Sequence, residues 1–328
     1  MRRRAFIAGL GWAAAAWPLA ARAQRAAGTR RIGMLSLGAE DDSVVQRFVA
    51  VLRESLAKLG WIEGGNTRID LRFGADDPNR LQSHAKELVG LDPDVIVTFS
   101  AAATLAAKRQ TQTIPIIFVN VGDPVNQGIV KSLARPDGNA TGFTNLFPSI
   151  AGKCVELLKE AVPAVSRVAL IFNPEIYIFE DYLAEIEKAA ASVVNAIRTP
   201  VRNTAEIERA VDAFAAEPNG ALILVPPPLS FSNRQLVLRL AVQHKLPAIS
   251  PLRFFAAEGG LMSYGPNYDD FYRGASSYVD RVLRGANVSD LPVQFPTKFQ
   301  LVVNLKSAKA IGLTIPEWFV LRADEVIE

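Results

Sequence analysis

The chain has 328 residues, 49% hydrophobic and 21% charged, with one cysteine and a formal net charge of +3. A single cysteine excludes an internal disulfide and a cysteine zinc cluster, and a chain this long and apolar can fill two cores. The basic excess sits in residues 1–23, which hold Arg2, Arg3, Arg4 and Arg22 and no acid; beyond them 32 basic side chains face 33 acidic ones, a charge of −1 with no dense Lys/Arg stripe, so no nucleic-acid partner is expected.

In chain order, the first 23 residues read as a cleaved export signal: three arginines, an apolar stretch from Ala5 to Ala21 interrupted by Pro18, then Ala21-Arg22-Ala23 before a cut ahead of Gln24. Arg3-Arg4-Ala5-Phe6-Ile7 fits a twin-arginine signal as well as a Sec signal, and both place the protein in the periplasm. Short β-branched or apolar runs then recur at Arg31 to Leu37, Thr67 to Phe73, Val95 to Phe99, Ile114 to Val119, Val168 to Phe172 and Ala221 to Val225. Between them lie amphipathic helical stretches. In one, Val45, Phe48, Val49, Leu52, Leu56 and Leu59 share a face and Gly60 supplies the stop; others cover Asn79 to Leu88, Glu180 to Val194, Thr204 to Ala215, Asn233 to His244 and Asp269 to Leu283. Strands alternating with helices predict an α/β fold with parallel sheets. The turn-rich segment Asp137 to Gly142 separates two such series, and a second, Asn287 to Pro292, precedes the last strand-like run, Phe299 to Asn304. Two α/β lobes joined by short crossings suggest a hinge closing over a cleft.

Catalytic chemistry lacks its parts. The two histidines, His84 and His244, lie far apart on predicted helices, and no H-E-x-x-H, G-x-S-x-G, S-x-x-K or phosphate-binding loop occurs. The acidic pairs Asp41-Asp42, Asp76-Asp77 and Asp269-Asp270 each open a predicted helix, where capping explains them. Cys154, in KCVELLKE, reads as a small apolar helix residue rather than a reactive thiol. No catalytic residue, metal site or cofactor is therefore expected.

The segments RRIGMLSLG, LAKLGWIEGGN, DVIVTFSAAATLAAKRQT, IPIIFVNVGDPVNQGIVKSLARPDGNATG and LVVNLKSAKAIGLTIPEWFVLRADEVIE resemble the extracytoplasmic substrate-binding proteins of ABC transporters, in the family with tryptophan- and tyrosine-binding members. The resemblance implies a type I periplasmic-binding fold of two flavodoxin-like lobes crossed three times by the chain. It places the crossings near Phe143, Ser250 and Val293, one lobe at 30–144 plus 251–292 and the other at 145–250 plus 293–328. It further implies a monomer that captures a small solute, an amino acid being the first expectation, and delivers it to a permease served by a separate ATPase. A ligand-sensing receptor subunit is the alternative, and a periplasmic α/β enzyme a more remote one.

The turns at the strand ends carry the candidate site. In Thr98 to Thr104 a strand runs straight into a helix, so the amides of Ala101, Ala102 and Ala103, with the hydroxyls of Ser100 and Thr104, suit a carboxylate. The same Ser100 could serve only as a cap. Asp123, in Val121-Gly122-Asp123-Pro124, could pair with a ligand amine or simply form the turn. Ser36, Asn173 and the turn Pro226-Pro227-Pro228 with Ser230 follow other strands, and Tyr264 would end the late strand of the first lobe. Phe143, Tyr177 and Tyr264 could wall an apolar ligand body or be buried structural aromatics.

Overall fold

The computed structural model describes residues 28–145, 148–175, 180–225 and 233–328. The expected signal at residues 1–23, Tyr177 and the turn at 226–230 lie outside the described residues. The first series comprises β1 (Arg30–Ser36), α1 (Ser43–Lys58), β2 (Thr67–Phe73), α2 (Pro78–Gly90), β3 (Val95–Phe99), α3 (Ala101–Gln110), β4 (Ile116–Val121) and β5 (Ala140–Thr144). All five strands are parallel, in the order β2-β1-β3-β4-β5. Every residue of β3 is buried, which requires cover on both faces. Val95, Val97 and Phe99 join the core that holds α1, while Ile96 joins the cluster of Leu81, Leu88, Ala103 and Ala107 on α2 and α3. α1 buries Val44, Val45, Val49, Leu52 and Leu56; Phe48 is half-buried, Leu59 lies past its last turn, and Gly60 takes a φ of 93°. Asp42 caps α1 and Asp77 caps α2 through their side chains, so these acids serve as the sequence suggests.

The second series runs through α4 (Pro148–Ala161), β6 (Arg167–Phe172), α5 (Glu180–Ala190), β7 (Asn195–Pro200), α6 (Thr204–Ala215), β8 (Gly220–Leu224), α7 (Arg234–Gln243), β9 (Ala248–Ser250), α8 (Arg253–Ala257) and β10 (Met262–Pro266). It continues with α9 (Tyr268–Leu283), β11 (Phe299–Asn304), α10 (Leu305–Ala310), α11 (Glu317–Val320) and β12 (Glu325–Ile327). These strands form a seven-stranded sheet, β12-β11-β10-β9-β8-β6-β7, in which only β10 and β11 are antiparallel neighbours.

One expectation needs correction here. β10 pairs in parallel with β9, Met262 opposite Ile249, so β10 and Tyr264 belong to the second sheet. The chain leaves that sheet after Pro266, not near Ser250, and only then does α9 pack back on α1 and on β3, β4 and β5. Alternation of strand and helix reveals a βα unit but not which sheet receives its strand. Close backbone approach fixes it: a Cβ on Gly265 would lie 1.9 Å from the carbonyl oxygen of Pro251. The other two passages run side by side. Thr144 N–H donates to the Gln294 carbonyl at 3.0 Å and Gln294 N–H to the Gly142 carbonyl at 2.9 Å, while a Cβ on Gly142 would strike the Phe118 carbonyl oxygen at 1.9 Å.

Candidate functional site

The order β2-β1-β3-β4-β5 reverses direction between β1 and β3, and in the second sheet the corresponding reversal falls between β6 and β8. Ligands of open α/β sheets bind outside the carboxyl ends of the strands at such switch points. Ser36 ends β1 and Ser100 follows β3, with the Ser100 amide bonded to the Val119 carbonyl of β4 at 3.0 Å, so these two candidates flank one switch point. Asn173 follows β6 at the other, where its Oδ1 accepts from the Glu175 amide at 3.0 Å.

Backbone strain concentrates around the first switch point. Of nine non-glycine residues with positive φ among the described residues, Ala75, Asp76, Ser100 and Asp123 lie in turns after strands of the first sheet, and Asn120 lies one residue before the end of β4. Ser100, at φ 110° and ψ 160°, occupies a region otherwise left to glycine, at a cost of about 1–3 kcal/mol. Its Oγ accepts from the Ala103 amide at 3.2 Å and its carbonyl accepts from Thr104 Oγ1 at 2.7 Å, while Thr104 Oγ1 also meets Thr98 Oγ1 at 2.8 Å. Thr104 is thus buried and committed to holding the turn, whereas Ala102 is exposed and Ala101 half-exposed on the first turn of α3. Their two amides precede any intrahelical acceptor and point out of the helix end. Ser36 is buried, its Oγ accepting from the Gly38 amide at 3.2 Å. Asp123 spends its carboxylate on its own turn: Oδ1 accepts from the Asn126 amide at 3.1 Å and Oδ2 from Asn126 Nδ2 at 2.5 Å.

Two further polar residues at these strand ends escape a reading of the sequence. Asn145 Nδ2 donates to Asn120 Oδ1, and Asn145 also bonds the Tyr268 hydroxyl, which joins the ends of β4 and β5 to the first turn of α9. Burial pushes the Tyr268 hydroxyl up to about 12, the bond to Asn145 acting in the opposite sense. The only clue in the sequence is an asparagine at the end of each strand segment, IIFVN and TGFTN.

The aromatic candidates separate. Phe143 is 7% exposed and sits 5.1 Å from the Tyr278 ring and 6.4 Å from Phe271, so its ring belongs to the core under α9 and not to a ligand wall. Both faces of this sheet are covered, which is why strand alternation could not tell core from cleft. Tyr264 is half-buried and stacks on Phe299 with centroids 6.1 Å apart. Cys154 is fully buried and its thiol is pushed up to about 12 by burial, the neighbouring Tyr182 hydroxyl acting the other way, so it has no thiolate character at neutral pH.

The two switch points meet across the cleft. Arg234 opens α7, after β8, and its Nη1 lies 2.8 Å from Asp42 Oδ2 at the start of α1; its Nε lies 2.7 Å from Glu258 Oε2, next to α8. Burial alone would lower the Arg234 pKa, but the bonds to Glu258 and Asp42 outweigh it and hold the guanidinium above its ordinary range. Among the described residues no group of three His, Cys, Asp or Glu could hold a metal ion, and no helix is long and apolar enough to cross a membrane. His244 pairs with Asp212 at 2.7 Å, between α7 and α6, and His84 lies on α2.

Two mostly parallel α/β sheets, each with a switch point, the first bordered by the strained turn at Ser100, give the arrangement in which open α/β sheets bind ligands. The model of the ABC transporter substrate binding protein family matches residues 39–327. This chain belongs to that family. As a substrate-binding protein it is 27% identical over 280 residues to a tyrosine-binding protein of Clostridioides difficile, covering 83% of this chain and 77% of that one. Its fold overlays on the ABC domain in complex with L-Trp from Streptococcus pneumonia with a TM-score of 0.83, at 24% identity, over 92% of this chain and 100% of that one. A conserved domain protein from Vibrio cholerae gives 0.82 at 26% identity, over 91% and 99%. The ligand-free, open structure of a substrate binding protein with adhesive properties from Clostridium difficile gives 0.69 at 23% identity, over 91% and 99%. The solute-binding role and the type I periplasmic-binding fold are therefore those of this protein too.

Proposed function

We propose that this substrate-binding protein captures an amino acid, with an aromatic side chain as the first candidate, between its two sheets and delivers it to an ABC permease powered by a separate ATPase. The observation that carries the reading is the strained turn at Ser100. A residue forced into a glycine-only conformation at a switch point, ahead of a helix start built of alanines, is the geometry that lets a carboxylate approach backbone amides. The amides of Ala101 and Ala102 hold the carboxylate, Asn120, Asn145 and Asp123 line the end that meets the amine, and Ser36, Asn173 and Tyr264 complete the walls. Thr104 supports the turn from behind. The aromatic preference draws on the tyrosine-binding relative and the L-Trp complex named above.

The protein acts outside the cytoplasm as a monomer, after export through a Sec or twin-arginine signal in residues 1–23, and it binds without chemical turnover and without nucleic acid. A thermal-shift screen with L-tryptophan, L-tyrosine, L-phenylalanine and a panel of other amino acids, sugars and carboxylates tests this. A ligand present at about 100 times its Kd adds about 2.7 kcal/mol to the stability of the state that binds it. The expected result is a shift with an aromatic amino acid and recovery of that ligand unchanged. A shift confined to sugars, or conversion of the ligand, would overturn the reading.

A further inference from the structure

We propose that Asp42 and Arg234 form a latch that holds the two lobes shut, so that this ion pair sets solute affinity without touching the solute. The inference rests on the reading of the cleft as a closing trap. Asp42 belongs to the first lobe, at the start of α1 just beyond β1, and Arg234 to the second, at the start of α7 beyond β8. Both therefore stand at the carboxyl-end rim of their sheets, and a contact of 2.8 Å between them exists only while the lobes are together. The two carboxylate oxygens of Asp42 divide the work. Oδ1 accepts from the amides of Val44 and Val45 and caps α1, and Oδ2 takes Arg234.

Arg234 is equally committed on its own side. Its Nε is fixed by Glu258, whose Oε2 also accepts from Gln235 Nε2 at 2.6 Å. The guanidinium side chain is 9% exposed and that of Asp42 16%, so the pair is shielded from the screening that makes surface ion pairs worth little. When the lobes part, Arg234 keeps Glu258 and Asp42 keeps its cap, so the cross-lobe bond is given up while each charge retains a partner on its own side. That division makes the pair reversible, since neither charge is stranded without a partner. One turn further along α1, Arg47 is held above its ordinary range by its bond to Asp269, and Glu325 on β12 of the second lobe adds a weaker attraction in the same sense. Helix α1 thus presents charge of both signs to the opposing lobe.

The test is Asp42→Asn, because asparagine caps a helix as well as aspartate does and α1 keeps its start. Loss of the latch lowers the closed fraction, and apparent affinity falls with that fraction. The expected result with L-tryptophan in equilibrium dialysis is a Kd raised about tenfold, with no added cross-lobe loss when Arg234→Gln is combined with Asp42→Asn in a double-mutant cycle. A Kd within about twofold of the parent for Asp42→Asn would overturn the latch. If the parent binds no amino acid, the solute assignment fails and the latch is read separately. Spin labels at Ala50→Cys on α1 and Arg239→Cys on α7, both exposed, report the lobe separation, with Cys154 buried and unlabelled. A short-distance population present in the parent and lost in Asp42→Asn supports the latch, and identical distributions reject it.

Discussion

Ser100 shows how a single residue can carry two opposed demands. Its hydroxyl caps α3 while its backbone is held at a φ that L-residues avoid. Ser100→Ala removes the cap and keeps the strain, so it should lose about 1 kcal/mol; Ser100→Gly removes both and should stay within about 1 kcal/mol of the parent. Denaturant titration of both variants checks the pair of values. In binding, Ala102→Trp should block the amides of an exposed helix start with little change in stability, and calorimetry with the ligand found by screening measures it. Asp123→Ala should weaken binding and also loosen its turn, since both carboxylate oxygens already serve Asn126. The Ser100 turn was legible in the sequence because a strand passes into a helix there without a spacer. Asn120 and Asn145 were not, because an asparagine at a strand's end looks like the end of any strand. Phe143 takes the second of its two readings, a buried structural aromatic, and the sequence could not choose between them because both faces of its sheet are covered.

At the scale of elements, the sequence displayed its helices well, since periodic apolar faces and acidic caps state both extent and orientation. The strands with continuous apolar runs, such as Val95–Phe99 and Gly220–Leu224, were equally plain. β5 hid in ATGFT, a run of small and turn-forming residues, and β7 hid in NAIRTP because an edge strand with half its residues exposed carries no apolar signature. The sheet to which β10 belongs could not be read at all, because pairing is a property of the partner strand. Gly265 is where that pairing is enforced. Gly265→Ala should force the Pro251 carbonyl aside and destabilise the protein by about 1–3 kcal/mol or more, seen as a lowered Tm, whereas Gly259→Ala, with open space around its Cβ position, should suffer only from its φ of 125°.

For the whole molecule, the buried hydroxyls and thiol set an alkaline limit. Cys154 is moved from its ordinary 9.0 up to about 12 by burial, Tyr268 likewise up to about 12, and Tyr182 and Tyr272 are raised as well, burial again leading. Below about pH 9 both folded and unfolded chains hold these protons and the native state keeps its full stability. As pH rises from about 9 towards 12 the unfolded chain releases them first, so stability falls across that window. Denaturant titrations at intervals from pH 8 to 11 should show the decline, with a shallower slope in Cys154→Ala. The hinge has a mechanical consequence of its own. Because the passages at Gly142–Thr144 and Gln294 are laced together by backbone bonds, they behave as the spine of a book rather than as two independent strings. Such a spine should resist sliding of one cover past the other more than opening, so the expected difference between an empty and a loaded carrier is mainly one of opening angle, which small-angle scattering with and without ligand measures.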